Sequence, residues 1–190
     1  MLSLSTKPIN VNNDLQLVAD LKTPQTKEQA FRELMAQYKE RLYWHIRKIV
    51  YSHDDADDVL QNTFIKIFRS IDGFKGESKL YSWMYRIATN EAITHLNRNA
   101  KRMQMTSEEF QTHAVNSLTS DSYFDGDEVQ LKLQKAIATL PQKQQLVFNM
   151  KYFDDMKYKD MSQVLETSEG ALKASYHLAV KKIESYLTQD

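Results

Sequence analysis

The 190-residue sequence contains no cysteine, only four glycines and three prolines, and no long apolar run. Without cysteine there is no disulfide scaffold, no thiolate zinc site and no cysteine nucleophile, which suits a reducing compartment. The scarcity of glycine and proline favours helix over sheet. No apolar run approaches the roughly 20 residues of a membrane span, and the polar N-terminus lacks the pattern of a signal peptide. We therefore expect a helical, cytoplasmic protein that does not insert into a membrane.

Charge is balanced overall but is sorted into blocks along the chain. The formal net charge is +0 at pH 7. Residues 53–60 hold four aspartates and no Lys or Arg, whereas residues 74–102 hold six Lys or Arg against two glutamates. Residues 103–131 hold six acids and again no Lys or Arg. Such segregation indicates separate surfaces for different partners.

Helical periodicity of apolar residues runs through most of the chain and predicts an all-α protein with two small helical domains. The stretch 70–79 contains half of the glycines and predicts a turn, after which Ser78 is a candidate cap for a long helix. Residues 103–128 are polar, acidic and aperiodic, which predicts a linker. The predicted organisation is a flexible N-terminal extension over 1–22, a helical bundle over 23–102, an acidic linker over 103–128 and a helix-turn-helix domain over 129–188.

The stretch "SHDDADDVLQNTFIKIF" begins with four aspartates and continues as an apolar stripe. Asp54, Asp55 and Asp58 match a D-D-x-x-D spacing that can hold a divalent metal, but a metal enzyme of that kind needs a second acidic motif and a large cavity. Acids in a first helical turn also favour the helix dipole, although four adjacent like charges repel one another. A metal site, a helix start and an acidic surface for a basic partner therefore all remain open at this point.

The C-terminal stretch "YKDMSQVLETSEGALKASYHLAVKKI" has the rhythm of a helix-turn-helix. A short apolar helix is followed by a polar turn and by a second helix that Ser168 can cap. On one face of the second helix, Glu169, Lys173, His177 and Lys181 recur every four residues. Such a helix fits a DNA major groove with its cations on phosphates, and the alternative is an ordinary amphipathic helix with a solvated face.

Residues 74–102 interleave aromatic with cationic side chains, which is the composition that single-stranded nucleic acid binding requires. The alternative for Trp83 and Tyr85 is a place in the core, because aromatics at helical spacing are usually buried. Tyr81 lies on the more polar side of the predicted helix, and we expect it to be exposed.

Together these motifs resemble the extracytoplasmic-function (ECF) sigma factors of bacteria, the smallest sigma subunits of RNA polymerase. "DDADDVLQNTFIKIF" is similar to the segment that docks on the polymerase clamp helices. "FKGESKLYSWMYRIATNEAITHLNRNAKR" is similar to the segment that melts and reads the −10 promoter element. The stretch from "LPQKQQ" to "AVKKI" is similar to the domain that reads the −35 element, so the resemblance covers about residues 27 to 187.

The resemblance implies a protein without catalysis or cofactor that has three contact sets. The set for core polymerase is Asp55, Asp57, Asp58, Leu60, Gln61 and Phe64. The −10 set is Lys75, Glu77, Ser78, Lys79, Tyr81, Arg86, Asn90, Asn97, Arg98, Lys101 and Arg102, with "GFKGESK" capturing a flipped base. The −35 set is Ser168, Glu169, Lys173, His177, Lys181 and Lys182. The implied partners are the clamp helices of the polymerase core, promoter DNA as duplex and as melted non-template strand, and an anti-sigma factor.

The last helix departs from the family pattern. Ser175, Leu178 and Val180 stand where family members often carry arginines, which predicts weak intrinsic −35 affinity and strong dependence on polymerase. Glu166 occupies a turn position often held by glycine, so we expect strain or lengthening of that turn. The alternatives to a sigma factor are a stand-alone helix-turn-helix regulator, a magnesium enzyme, and a helical interaction module without a DNA role.

Overall fold

The computed structural model describes residues 11–116, 118 and 128–188, and within them the secondary structure is helical, without a strand. The helices are α1 (Val11–Lys22), α2 (Lys27–Val50), α3 (His53–Ser70), α4 (Leu80–Arg102), α5 (Ser107–Asn116), α6 (Glu128–Ala138), α7 (Gln142–Tyr152), α8 (Tyr158–Leu165) and α9 (Glu169–Thr188), with a 3-10 turn at Ile71–Gly73. This confirms the predicted all-α class with two helical domains. None of the described helices is long and apolar enough to cross a membrane.

The N-terminal domain is a bundle in which α2, α3 and α4 pack against one another. The periodicity of α2 is the reason for this packing, because Leu34, Tyr38 and Leu42 fall on one stripe and are fully buried. The chain leaves α2 at Tyr51, which adopts a left-handed conformation (φ 63°). The next helix follows at once, since the Ser52 side chain accepts a hydrogen bond from the Asp55 backbone nitrogen at 3.3 Å.

Part of the predicted N-terminal extension is ordered helix. Where the sequence predicts a loose segment over 1–22, the described part of that range is α1, which packs on α2 and on the 3-10 turn. Leu17 and Leu21 lie one helical turn apart and are both buried. Burial of two leucines outweighs the polar composition that suggests a loose segment, because a buried leucine contributes roughly 1.5–3 kcal/mol.

The start of α4 differs from the expectation in one respect. The helix begins at Leu80, and its N-cap is Lys79, which makes no side-chain capping hydrogen bond; Ser78 lies outside the helix and is not its cap. The apolar stripe of α4 faces the core, where Leu80, Met84 and Leu96 are fully buried. Trp83 and Ile87 pack on the same core while keeping part of their surface exposed.

The predicted linker also contains a helix. Thr106 and Glu109 form a capping box at the start of α5: the Glu109 nitrogen donates to Thr106 Oγ1 at 3.2 Å and the Thr106 nitrogen donates to Glu109 Oε2 at 2.7 Å. Gln111 and Val115 are buried, and Gln145 Nε2 in α7 donates to Gln111 Oε1 at 2.9 Å. The linker prediction therefore does not hold over Ser107–Asn116, and its residues 117 and 119–127 lie outside the described residues.

The C-terminal domain combines α6 to α9 around a small core of its own. That core consists of Ala136, Ile137, Leu140, Phe148, Ala179 and Ile183. A second group of C-terminal residues belongs instead to the main core of the N-terminal bundle. This group consists of Leu146, Val147, Met150, Met156, Met161, Val164 and Leu172. The two domains are therefore packed together, with α8 lying along α4.

Candidate nucleic-acid interface

The acidic stretch at the start of α3 forms an exposed patch. Asp54, Asp57 and Asp58, here called the acidic patch, are exposed to solvent together with Gln61. Leu60 and Phe64, which the resemblance assigns to polymerase binding, are 4% and 8% exposed and belong to the core beneath the patch. Leu60 and Phe64 hold the helix in place, while the acidic patch and Gln61 remain available to a partner.

Asp55 is positioned differently from the other aspartates of the stretch. Its side chain turns toward α4 and is 28% exposed, and its Oδ1 lies 2.9 Å from His95 Nε2. Asp55 therefore helps to join α3 to α4. Among the aspartates assigned to polymerase binding, Asp57 and Asp58 are the exposed ones.

The metal interpretation finds no geometric support in this region. Within residues 11–116, 118 and 128–188, no three His, Asp or Glu side chains gather closely enough to hold a metal ion. The second aspartate pair is divided between two environments. Asp154 is paired with Lys48 and His45, whereas Asp155 is 98% exposed and pairs with Lys151 in its own domain.

The "GFKGESK" loop joins the 3-10 turn to α4 and presents most of its polar side chains outward. Gly76 has φ 75°, a left-handed conformation that glycine adopts without steric cost. Phe74 anchors the loop because its ring is buried against Trp83, with 5.2 Å between the ring centroids. Helix α1 adds a second anchor, since Lys22 Nζ donates to the Phe74 carbonyl oxygen at 2.5 Å. Lys75, Glu77 and, in part, Ser78 remain accessible.

The outer end of α4 forms a polar and cationic surface. The residues that this surface brings together from the predicted −10 set are Asn90, Asn97, Arg98, Lys101 and Arg102, and all are exposed. Asn97 Oδ1 accepts a hydrogen bond from Ser107 Oγ at 2.8 Å, which ties this end of α4 to α5. Amide groups that can meet base edges and cations that can meet phosphates thus lie along a single helix.

At the inner part of α4, the exposure predicted for Tyr81 is wrong. The sequence predicts an exposed Tyr81, but its side chain is 8% exposed and lies close to the carboxylate of Asp160 in α8. Burial and the neighbouring carboxylate raise the pKa of Tyr81 above its ordinary value. The polar side of α4 is covered here because α8 packs against it. Two neighbours from the same set, Lys79 and Arg86, also meet acids of the C-terminal domain.

The C-terminal helix-turn-helix consists of α8, a turn at residues 166–168, and α9. Glu166 ends α8 in a left-handed conformation (φ 49°, ψ 44°), which agrees with the strain expected at this turn. Ser168 Oγ accepts a hydrogen bond from the Ala171 nitrogen at 3.3 Å, so the predicted cap of α9 is confirmed. All six residues of the predicted −35 set are exposed, namely Ser168, Glu169, Lys173, His177, Lys181 and Lys182.

One polar cluster was not assigned any role from the sequence. Asp154 accepts from His45 Nδ1 at 3.1 Å and from Lys48 Nζ, and His45 Nε2 lies 2.8 Å from Thr89 Oγ1. The His45 side chain is 1% exposed and the Asp154 side chain 9%. No sequence pattern links these residues, because His45 and Asp154 are 109 positions apart.

The fold and these surfaces define a two-domain helical protein with an acidic patch, a polar and cationic α4 surface and an exposed helix-turn-helix. Comparison with protein families shows that residues 34–102 match the Sigma-70 region 2 model and residues 130–183 the Sigma-70 region 4 model. The chain belongs to the ECF sigma factors of RNA polymerase, and it serves in transcription initiation by directing polymerase to promoters.

Curated relatives agree with this placement over most of their length. The chain is 28% identical to the RNA polymerase sigma-H factor of Pseudomonas aeruginosa over 168 residues, which cover 84% of this chain and 87% of the relative. It is 25% identical to the ECF sigma factor SigW of Bacillus subtilis, covering 79% of this chain and 84% of the relative.

Two solved structures share the fold. CnrH, in complex with the cytosolic domain of CnrY, superposes with a TM-score of 0.68 at 20% identity, covering 93% of this chain and 98% of CnrH. The sigma factor RpoE of Bartonella quintana, in complex with the anti-sigma factor NepR, gives a TM-score of 0.63 at 18% identity, covering 84% and 98%.

Proposed function

We propose that this sigma factor uses three separate surfaces in sequence. The acidic patch with Gln61 docks on basic groups of the polymerase clamp helices, the "GFKGESK" loop and the outer end of α4 engage the −10 element, and α9 engages the −35 element. The observation that carries the proposal is the separation of charge in space. One end of α3 is acidic and exposed, while Lys101 and Arg102 on α4 and Lys181 and Lys182 on α9 are exposed cations.

Promoter opening follows from the chemistry of the −10 surface. Unstacking a base step costs a few kcal/mol, which contacts to the flipped base offset. The "GFKGESK" loop suits a flipped base because it combines accessible polar side chains with a glycine that leaves the backbone open to close approach. Arg98, Lys101 and Arg102 hold the strand through phosphates, and these contacts give affinity without sequence information.

The −35 surface supports a weaker contact. Four of its residues are cationic or can become so, namely Lys173, His177, Lys181 and Lys182, and arginine is absent from α9. Lysine binds phosphate as a point charge and lacks the bidentate geometry that arginine offers to guanine. We therefore propose that α9 contributes mainly phosphate contacts and depends on polymerase to place it on the DNA.

An anti-sigma factor is proposed as the regulatory partner in the cytoplasm. The two similar solved structures are complexes, one of CnrH with the cytosolic domain of CnrY and one of RpoE with the anti-sigma factor NepR. We also propose that the acidic segment 103–131, which carries six acids and no Lys or Arg, contacts a basic groove of polymerase. Glu108 and Glu109 of that stretch are exposed at the start of α5.

Reconstituted transcription tests the proposal. Purified protein, bacterial core polymerase and a pool of genomic promoter fragments are expected to give discrete start sites. The variant Asp57→Lys with Asp58→Lys is expected to lose core binding and these starts, because two exposed acids of the patch become cations. The matched control is Glu33→Lys with Glu40→Lys, which reverses two exposed acids on α2 and should leave start sites unchanged.

A stand-alone helix-turn-helix regulator is the competing function, because α9 is exposed in the free chain. It predicts sequence-specific duplex binding without polymerase, and no complex with core polymerase on a sizing column. That combination, together with absence of discrete starts, would contradict the proposed docking through α3.

A further inference from the structure

Two lysines from outside the "GFKGESK" loop hold the chain where the loop begins. Lys22 Nζ donates to the Phe74 carbonyl oxygen at 2.5 Å. Lys27 Nζ pairs with Asp72 Oδ2 at 2.9 Å. Lys22 ends α1 and Lys27 begins α2, and both precede residue 34, where the match to the Sigma-70 region 2 model begins. The hold on the loop therefore comes from a part of the chain that lies outside the matched region.

The connection from α1 to α2 fixes the position from which the Lys22 side chain reaches the loop. Leu17 and Leu21 anchor α1 in the core of the N-terminal bundle. The end of the helix is closed by a side chain, since Thr26 Oγ1 donates to the Asp20 carbonyl oxygen at 2.8 Å. Lys22 therefore extends from a packed helix end whose backbone has little freedom to move.

Of the two lysines, Lys22 has the more direct hold on the loop. Lys27 meets a side-chain carboxylate that is 63% exposed, and exposed ion pairs contribute little. Lys22 instead makes a charge-assisted hydrogen bond to the backbone, at the residue whose ring is buried against Trp83. A bond to the backbone constrains the chain itself, whereas Asp72 can leave Lys27 by rotation of its side chain.

The bond to the Phe74 carbonyl also orients the amide group that follows it. A trans peptide bond is planar, so the Phe74 carbonyl and the Lys75 N–H point in opposite directions. With the carbonyl turned toward Lys22, the Lys75 N–H points away from the Lys22 ammonium group. Among the described residues, 75–78 take part in no backbone–backbone hydrogen bond. The Lys75 amide is thus an oriented donor at the point where the loop becomes open.

We propose that Lys22 is a positioning residue for base capture at the −10 element, because it holds the start of the "GFKGESK" loop so that the Lys75 amide meets the edge of the flipped base. This inference rests on the proposed function of the loop. A loop that is already held at Phe74 loses less conformational entropy when it closes on a base. Lys22 acts through the loop and does not itself touch the base.

Binding of the holoenzyme to single strands tests this role. The probe is a fluorescent non-template strand that carries the −10 sequence obtained from reconstituted transcription, and a series of strands replaces each −10 base in turn by an abasic site. The abasic site that weakens binding of the wild-type holoenzyme most marks the captured base. The variant is Lys22→Met, which keeps an unbranched side chain and removes the donor. Fluorescence anisotropy measures each affinity.

Lys22→Met is expected to weaken binding of the intact strand roughly tenfold, because a hydrogen bond from a charged donor is lost. It should leave binding of the strand that lacks the captured base unchanged, since the positioned loop then has no base to meet. Lys22→Arg is expected to bind the intact strand nearly as well as the wild type, because a guanidinium still donates to the carbonyl. Lys39→Met, which removes an exposed lysine of α2, is the matched control and should change neither affinity.

The outcomes separate a positioning role from a phosphate contact and from general destabilisation. Either of the latter would weaken the intact and the abasic strand alike, and a phosphate contact would also reduce the slope of log affinity against log salt. Both results would overturn the inference, as would equal affinity of Lys22→Met and the wild type for the intact strand, or no recovery with Lys22→Arg. If no abasic site weakens the wild-type holoenzyme, the loop captures no base, and the proposed function fails together with the inference.

Discussion

The two candidate DNA surfaces of this sigma factor differ in whether other parts of the chain cover them. On α9 and its cap, Ser168, all six assigned residues are exposed. The outer residues of α4 are exposed, whereas Lys79 and Tyr81 lie against Asp160 of α8 and Arg86 pairs with Glu166 in the turn that follows α8. Both helices carry polar and cationic side chains, so composition alone does not distinguish them. The comparison teaches that access to a DNA-binding helix in a two-domain chain is set by the packing of the other domain.

The two surfaces also differ in the hydrophobic core that supports each helix. Most of α9 packs on the small core of the C-terminal domain through Ala179 and Ile183, and only Leu172 near its start reaches the core shared by both domains, whereas α4 lies in the shared core along most of its length. Changes that loosen the shared core should therefore alter the α4 surface first. Substitutions at four positions, ordered from the largest expected effect to the smallest, test this contrast.

The largest effect is expected from Leu21→Ala in α1. Leu21 is fully buried, and truncation of a buried leucine costs about 2–5 kcal/mol of unfolding free energy. Leu15→Ala is the matched control on the same helix, because Leu15 is 82% exposed. Urea unfolding followed by circular dichroism measures both. Equal stability of the two variants would show that α1 is not part of the N-terminal core.

The next effect concerns the open surface of α9. Lys181→Glu is expected to weaken binding of the free chain to duplex promoter DNA roughly tenfold at low salt and to reduce the slope of log affinity against log salt by about one, because one phosphate contact is lost. Lys143→Glu, an exposed lysine of α7, is the control with the same charge change. Fluorescence anisotropy over a salt series measures both, and equal slopes would remove Lys181 from the DNA surface.

The buried pairing of Asp154 with His45 and Lys48 adds a contribution to stability that depends on pH. Burial by itself raises the pKa of Asp154, but Lys48 and His45 outweigh burial and hold this pKa below its usual range. The Asp154 carboxylate also contributes to the raised pKa of Tyr85, after burial of the Tyr85 side chain. A depressed folded-state pKa stabilises the protein fully above the ordinary value of about 3.9, and the stabilisation is lost as pH falls through the lower folded value.

Urea unfolding of the wild type and of Asp154→Asn from pH 5 downward measures this contribution. The difference in unfolding free energy between the two proteins is expected to be constant near pH 5 and to shrink below about pH 4. Asp155→Asn should show little difference from the wild type at each pH, because exposed ion pairs contribute little. A difference that does not change with pH would show that the Asp154 charge does not stabilise the fold.

The sequence predicted the features that depend on periodicity within one helix. It did not predict the features that depend on packing against a residue far away in the chain. The stripe of α2, the Ser168 cap and the exposed face of α9 follow from spacing within one helix. Tyr81 was expected to be exposed because periodicity places it on a polar side, and only the packing of α8 buries it. The polar composition of residues 103–128 led to the prediction of a linker in place of α5, although the spacing of Thr106 and Glu109 matches a helix capping box.

The smallest effect is expected at Glu166, where the two domains and the turn meet. Glu166 adopts a left-handed conformation, which asparagine adopts at lower cost than glutamate or glutamine, and its carboxylate pairs with Arg86. Glu166→Asn and Glu166→Gln both remove the charge, so the difference between them isolates the backbone. We expect the asparagine variant to be more stable by under about 1 kcal/mol in urea unfolding. Equal stabilities would mean that strain at this turn is relieved by its surroundings, and a common loss in both variants would measure the exposed pair with Arg86 instead.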